Sequence, residues 1–129
     1  MYKKIFLTVA LLGVWGHAPA LVFVSEDYGV KTFLLEETIT VAGGVSRAWF
    51  IQDNDPKKGP WEAKSVKILY EFKCKTKDVR FTKFEYYDGQ MAKGKMVKSR
   101  NLDNEKFDKV VDGATIDEMY EKVCLKRGR

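Results

Sequence analysis

The sharpest alternation of apolar and polar positions lies in residues 65–75. Val66, Ile68, Tyr70, Phe72 and Cys74 fall on one parity, and Ser65, Lys67, Leu69, Glu71, Lys73 and Lys75 on the other. Side chains alternate across a strand, so the even set faces a core and the odd set largely faces water. Cys74 belongs to the buried set. β-Branched and aromatic runs mark further strands at residues 28–35 and 38–41, and Ala42-Gly43-Gly44 is a turn before another at 45–52. Two prolines and a glycine make residues 53–60 a loop. Residues 79–87 form a strand, Asp88-Gly89 turns, and residues 90–99 return as a hairpin, with Lys93-Gly94-Lys95 as a bulge or twist.

The periodicity changes near the C-terminus. Ile116, Met119, Tyr120, Val123 and Cys124 follow the helical i, i+3, i+4, i+7, i+8 rule, which places Cys124 on the apolar face. Thr115 followed three residues later by Glu118 predicts a capping box. Asp117 and Glu118 suit the positive end of the helix dipole, and Lys122, Lys126 and Arg127 the negative end. The pattern gives an α+β domain: a single antiparallel β-sheet of about six strands with one C-terminal helix packed on it. One short helix cannot cover a whole sheet, and Phe33, Leu35, Trp49, Phe50, Phe81 and Phe84 place large apolar groups on both parities. The second face is therefore expected to meet a ligand or a second copy in a homodimer, or to lie under loops such as the one bearing Trp61.

The N-terminal twenty residues stand apart. Lys3 and Lys4 precede eleven uncharged, mostly apolar residues, 5–15, and His17-Ala18-Pro19-Ala20 ends in a small-x-small pattern, with Ala18 and Ala20 as the cleavage determinants. A membrane-spanning helix needs about 20 apolar residues, so residues 1–20 read as a signal peptide and residues 21–129 as the mature domain. No cysteine at the cleavage point provides for lipid attachment. Export puts Cys74 and Cys124, the two cysteines of the chain, in an oxidising compartment, where they are expected to pair and tie the helix to the sheet. Closing a loop of 49 intervening residues is worth roughly 4 kcal/mol in the chain-entropy model.

Composition then narrows the chemistry. The 129 residues carry a net charge of +5 and one histidine, which leaves with the signal segment. The mature chain holds 21 basic and 18 acidic residues and no histidine, so it lacks the usual neutral-pH proton shuttle and cannot build a Ser-His-Asp or Cys-His site. No nucleotide-binding, hydrolase-elbow or zinc-protease motif is present. Asp53-Asn54-Asp55 begins like a calcium loop, but Lys57 and Lys58 occupy positions where ligands and the turn glycine belong. No enzyme activity, metal or cofactor is expected. Residues 57–100 hold 13 basic and 5 acidic groups, whereas residues 101–121 hold 2 and 7. Export turns such a basic, aromatic-rich surface away from nucleic acid and towards proteins or anionic glycans.

Several short motifs share one spacing pattern. Ser65-Val66-Lys67 begins nine residues before Cys74, Gly89-Gln90-Met91-Ala92-Lys93-Gly94 follows the aromatic strand, and Gly113-Ala114-Thr115 leads to Val123-Cys124. With Trp49 as an early-strand tryptophan, residues 21–125 resemble the bacterial surface-adhesin protein E-like domain family. The resemblance implies an antiparallel sheet with a disulfide-tied C-terminal helix. It also implies binding of host extracellular and serum proteins through the basic segment around the first cysteine, here from Trp61 to Lys83, with Lys64, Lys67, Lys73 and Lys75 as candidate ligand-binding residues. The chain departs from that pattern in lacking a lipobox, in Phe107 replacing a late tryptophan, and in Asp112 replacing a proline before Gly113. The expectation is an exported, non-enzymatic, adhesin-like binding domain with no transmembrane segment in its mature chain, placed in the periplasm or at the cell surface. The alternative is a periplasmic structural or inhibitory module that binds another envelope protein.

Overall fold

The computed structural model describes residues 20–54, 63–102 and 105–125. Ala18 and the rest of the expected signal segment up to residue 19 lie outside the described residues, as does Trp61. Eight antiparallel strands form one sheet: β1 (Leu21–Asp27), β2 (Val30–Leu35), β3 (Thr40–Ala42), β4 (Val45–Asn54), β5 (Ser65–Lys73), β6 (Asp78–Tyr87), β7 (Met96–Asn101) and β8 (Asp108–Lys109). The order across the sheet is β1-β2-β4-β5-β6-β7, with β3 also pairing β4 and β8 also pairing β6. The sheet is thus six positions wide, as the alternation predicts.

The predicted parity of β5 holds from Ile68 to Phe72. Ser65 of the opposite set, however, is fully buried, its hydroxyl donating to the Gly89 carbonyl and accepting from the Ala92 N–H. The strand ends at Lys73, which leaves Cys74 in the following turn. Ile68, Tyr70 and Phe72 are buried on the side that carries the C-terminal helix α1 (Thr115–Tyr120). Phe50 and Phe72 are fully buried, and Phe50 meets Tyr70 edge to face at 5.4 Å. Met119, Tyr120 and Val123 close this layer from the helix side, and Ile116 and Cys124 pack against it. The helix continues past Tyr120 as a π-helical turn (Glu121–Leu125).

Several local readings change. The expected strand 28–35 starts two residues late, because Tyr28 and Gly29 form the turn of a hairpin between β1 and β2, both at positive φ. Residues 21–27 form a further strand, β1, which the expected set of strands does not contain. The loop expected at 53–60 starts later, because Asp53 and Asn54 still belong to β4; residues 55–60 lie outside the described residues. The predicted return at 90–99 also starts late. Residues 88–95 form a closed loop, in which Asp88 N–H donates to the Lys95 carbonyl and Lys95 N–H to Asp88 Oδ1, before β7 begins at Met96. Gly94, at φ +82°, is required there, since a Cβ would collide with the Asp88 carboxylate. The capping box does not form. Ala114 is the N-cap, the Thr115 hydroxyl instead accepts a hydrogen bond from Ser25 Oγ on β1, and Asp117 Oδ2 accepts from the Gly113 N–H.

Three bulges redirect the sheet, one of them at Val97 of β7, since Tyr86 pairs with Lys98 but Tyr87 with Met96. Leu69 pairs with Lys83 but Tyr70 with Phe81, so Thr82 is an extra residue in β6. Phe81 and Phe84, of opposite parity in sequence, therefore share the helix-side face and meet edge to face at 5.2 Å. The third bulge, at Val24, shifts β1 against β2.

Cys74 and Cys124 form a disulfide with Cα atoms 5.6 Å apart, tying the β5–β6 turn to the end of the helical segment. Noncovalent contacts repeat that link: the Tyr120 hydroxyl donates to the Cys74 carbonyl at 2.7 Å, and Lys77 Nζ bridges Asp112 and Asp117 at 2.9 and 3.2 Å. Hydrogen bonds donated by Lys77 to these carboxylates raise its pKa. The Gly113 N–H, and then Lys77, hold Asp117 below the usual carboxylate range.

Replacing both cysteines with serine is expected to lower unfolding free energy by a few kcal/mol, read from urea midpoints. Asp117→Asn should also destabilise the protein at neutral pH. A depressed carboxylate pKa stabilises the fold fully above the unfolded value, so the difference from wild type should shrink as pH falls below about 4. Thermal melts from about pH 2 to about pH 7 check this, and a difference that persisted at the acid end would show that the Asp117 charge is not its source.

Candidate binding face

The odd residues of β5 face away from α1, together with their cross-strand neighbours. Phe33, Ile51, Lys67 and Glu85 form one row across β2, β4, β5 and β6. Trp49, Leu69 and Lys83 form a second, and Arg47, Glu71 and Arg80 a third. At the β1 edge Phe23 stands opposite Phe33, with ring centroids 5.7 Å apart, and is half exposed. The face thus grades from apolar at β1 and β2 to charged at β5 and β6.

Local structure positions its aromatic centre. Between Leu34↔Phe50 and Thr40↔Arg47 the neighbour of β4 changes from β2 to β3, which would leave the Trp49 N–H without a strand partner. The Thr38 hydroxyl accepts that N–H at 2.9 Å and donates to the Leu35 carbonyl at 2.6 Å. Thr38 ends the short 3₁₀ turn Glu36–Thr38, which carries the chain past this gap. Lys67 Nζ then lies 4.9 Å from the Trp49 ring centroid, a cation–π distance.

The structure does not gather the four candidate lysines into one patch. Lys67 and Lys73 share the helix-free face but lie about 20 Å apart along β5. Lys64 is exposed just before β5, its N–H donating to the Tyr87 carbonyl, and Lys75 is exposed in the β5–β6 turn. Between Lys67 and Lys73 stands Glu71, its side chain only 12% exposed, bridging Arg47 at 3.1 Å and Arg80 at 2.8 Å. Phe107 lies beside that bridge, with both Lys73 Nζ and the Arg80 guanidinium 4.3 Å from its ring centroid. Arg80 Nη1 also donates to the Glu105 carbonyl, which holds the 105–107 segment in place. At the other end Lys83 pairs loosely with Glu85 at 3.7 Å, and Glu85 accepts from the Tyr87 hydroxyl. Burial, and then that bond, raise the Tyr87 pKa.

Arg47, Arg80 and Phe107 are therefore part of the face, although sequence spacing did not single them out as binding residues. Arg80 carried a signal as one of the basic residues of the aromatic-rich segment, and Phe107 only as the position where the resembled family has a late tryptophan. Phe107 lies far from β5 in sequence, and nothing in its local pattern indicates that it stacks on two cations. On the helix side, a cavity of about 270 Å³ lies between Val79, Phe81, Ile116 and Asp108, with Tyr70 in its wall. Burial pushes the pKa of the Tyr70 phenol up to about 12. Among the described residues no group of three or more His, Cys, Asp or Glu is placed to hold a metal ion. No helix among them is long and apolar enough to cross a membrane.

This arrangement, a six-position antiparallel sheet with a disulfide-tied C-terminal helix on one face, matches known proteins. The family model for surface-adhesin protein E matches residues 21–125. The chain belongs to the surface-adhesin protein E family. Its fold is similar to that of Haemophilus influenzae protein E, with a TM-score of 0.60 at 15% identity over 87% of this chain and 93% of that one. A second crystal form of that protein gives 0.59 at 13% identity over 88% of this chain and 100% of that one. Protein E from non-typeable Haemophilus influenzae gives 0.54 at 14% identity over 82% and 77%. No curated protein sequence matches the chain. At these identities the structural likeness speaks for the fold. Membership of an adhesin family points to an exported or cell-surface, non-enzymatic protein that binds extracellular proteins.

Glu71→Gln removes the one negative group between two guanidinium groups. It is expected to destabilise the fold by about 1–2 kcal/mol, since the bonds are charge-assisted but Arg47 is half exposed. Urea midpoints of wild type and variant check this, and equal midpoints would show that the bridge contributes nothing to the fold.

Proposed function

We propose that this protein is exported through cleavage after Ala20 and acts as an adhesin-like binding domain for host matrix or serum proteins. Family membership supports the class, and the match beginning at residue 21 is consistent with the cleavage point read from the sequence. The observation that carries the binding reading is the helix-free face, where Lys67 lies over Trp49 and where Lys73 and Arg80 flank Phe107. Cations held over rings present both a charge and a flat apolar contact, which suits an acidic protein surface. Residual basic charge also suits an anionic glycan. Lys64 and Lys75, at the two ends of β5, extend the basic character beyond the face itself.

A second reading rests on the apolar half of the same face. Leu21 and Phe23 are 44% and 50% exposed, and Phe23 meets Phe33 edge to face, which makes an apolar margin at the β1 edge. A standing partner would cover it, either a second copy in a homodimer or another envelope protein held in the periplasm.

Replacing Lys67, Lys73 and Lys75 with Glu should weaken binding to host matrix proteins by at least about tenfold while the melting curve survives, and wild-type binding should decline with salt. Binding indifferent both to salt and to these charges would remove the basic face from the account. Protease treatment of intact cells separates the two readings, since a surface adhesin is digested and a periplasmic module is spared.

A further inference from the structure

The β7 edge is built differently from the face just described. All six residues of β7 are exposed, and among the described residues β7 is the last strand on its side of the sheet and pairs with β6 alone. Its hydrogen-bonding phase can be read from one contact. Leu102 N–H donates to the Thr82 carbonyl at 2.9 Å, in step with the Lys83↔Asn101 register. Hydrogen-bonded and non-hydrogen-bonded pairs alternate along an antiparallel ladder. Arg100 and Lys98 therefore direct their backbone groups to Phe84 and Tyr86 of β6, and Asn101 and Ser99 direct theirs outward.

Charge on this strand is one-sided. Residues 93–100 contain Lys93, Lys95, Lys98 and Arg100 and no acidic residue. Lys98 and Arg100 stand opposite Tyr86 and Phe84, whose rings stack at 6.0 Å, so both cations project on the helix-side face next to an aromatic pair. A strand added to the outward groups of Ser99 and Asn101 would meet Lys98 and Arg100 at non-hydrogen-bonded positions, where facing side chains come closest.

We propose that the free edge of β7 is a strand-addition site for an extended segment of another protein with acidic residues at alternate positions. Backbone hydrogen bonds to Ser99 and Asn101 supply the pairing, and Lys98 and Arg100 select Asp or Glu at i and i+2. The same charges reject a second β7, which would set cation against cation. The opposite edge of a second copy also fits poorly, because the acidic residues of β1, Glu26 and Asp27, are adjacent and so point to opposite faces. The site shares no residue with the basic face proposed above, so either can fail alone.

The probe is a fluorescent octapeptide alternating Glu with Val, with a Lys–Val counterpart, titrated against the full protein by anisotropy at low and moderate salt. The acidic peptide should bind saturably and the basic one should not. Ser99→Pro removes an outward N–H without touching the β6 ladder, and should weaken binding at least about tenfold with the melting curve unchanged. Should that variant melt early, the double variant Lys98→Glu/Arg100→Glu keeps the backbone intact and should prefer the Lys peptide. The Lys67, Lys73 and Lys75 variant should bind the acidic peptide as wild type does. The proposal is overturned by absence of acidic-peptide binding up to about 1 mM, by equal binding of both peptides, or by wild-type affinity in a folded Ser99→Pro. Concentration-dependent self-association abolished by Ser99→Pro would likewise overturn it, by making a second copy the occupant.

Discussion

The joint between the β5–β6 turn and the C-terminal helical segment governs the rest of this molecule. The Cys74–Cys124 bond is its covalent part. The Tyr120 hydroxyl on the Cys74 carbonyl, and Lys77 between Asp112 and Asp117, hold the same two pieces together without it. The helix is short and breaks into a π-helical turn, so its own backbone bonds could not keep it in place. Its apolar residues Met119, Tyr120 and Val123 bury well only when that turn is within reach. Packing and cross-link therefore support each other, and the small sheet gains a core on one side.

Among the described residues, the other side is covered by the sheet's own side chains and by Phe107. On the helix-free face, long charged residues lie across apolar and aromatic ones. Lys67 lies over Trp49, Lys73 and Arg80 lie over Phe107, and Glu71 neutralises the charge between two arginines. Aliphatic stems shield part of the apolar surface while the charged ends stay in water. Such a face is stable when free and still offers a partner rings and cations at fixed places. The gradient towards Phe23 and Phe33 adds an apolar margin, so one sheet face can serve both a charged and an apolar contact.

The basic segment that a reader of the sequence would treat as a unit is divided by geometry. Lys64, Lys67, Lys73 and Lys75 follow one another along the chain, but strand rise spreads them and the turn turns Lys75 away. Cross-strand neighbours do what sequence neighbours cannot. Arg47 and Arg80 reach Glu71 from either side, and Phe107 arrives from a segment far along the chain. A charge count finds the excess of positive residues in 57–100, yet it does not reveal which of them are paired.

Sequence alone determined what depends on local periodicity: an antiparallel sheet of about six positions, the core parity of β5 from Ile68 to Phe72, and the apolar face of the helix with Cys124 on it, whereas Cys74 meets the core from the turn after β5. The family resemblance pointed the same way and to the same disulfide. Those features follow from rules that act over a few residues, and each rule leaves its mark in the order of side chains. Tertiary structure alone decided the bulge at Thr82, which brings Phe81 and Phe84 to one face, and the use of Thr115 as a partner for Ser25 instead of a cap. It also decided the closed loop at 88–95 and the outward phase of Ser99. In each case the deciding partner is a backbone or side chain on another strand or across a loop, and its distance in sequence leaves no local periodicity to read.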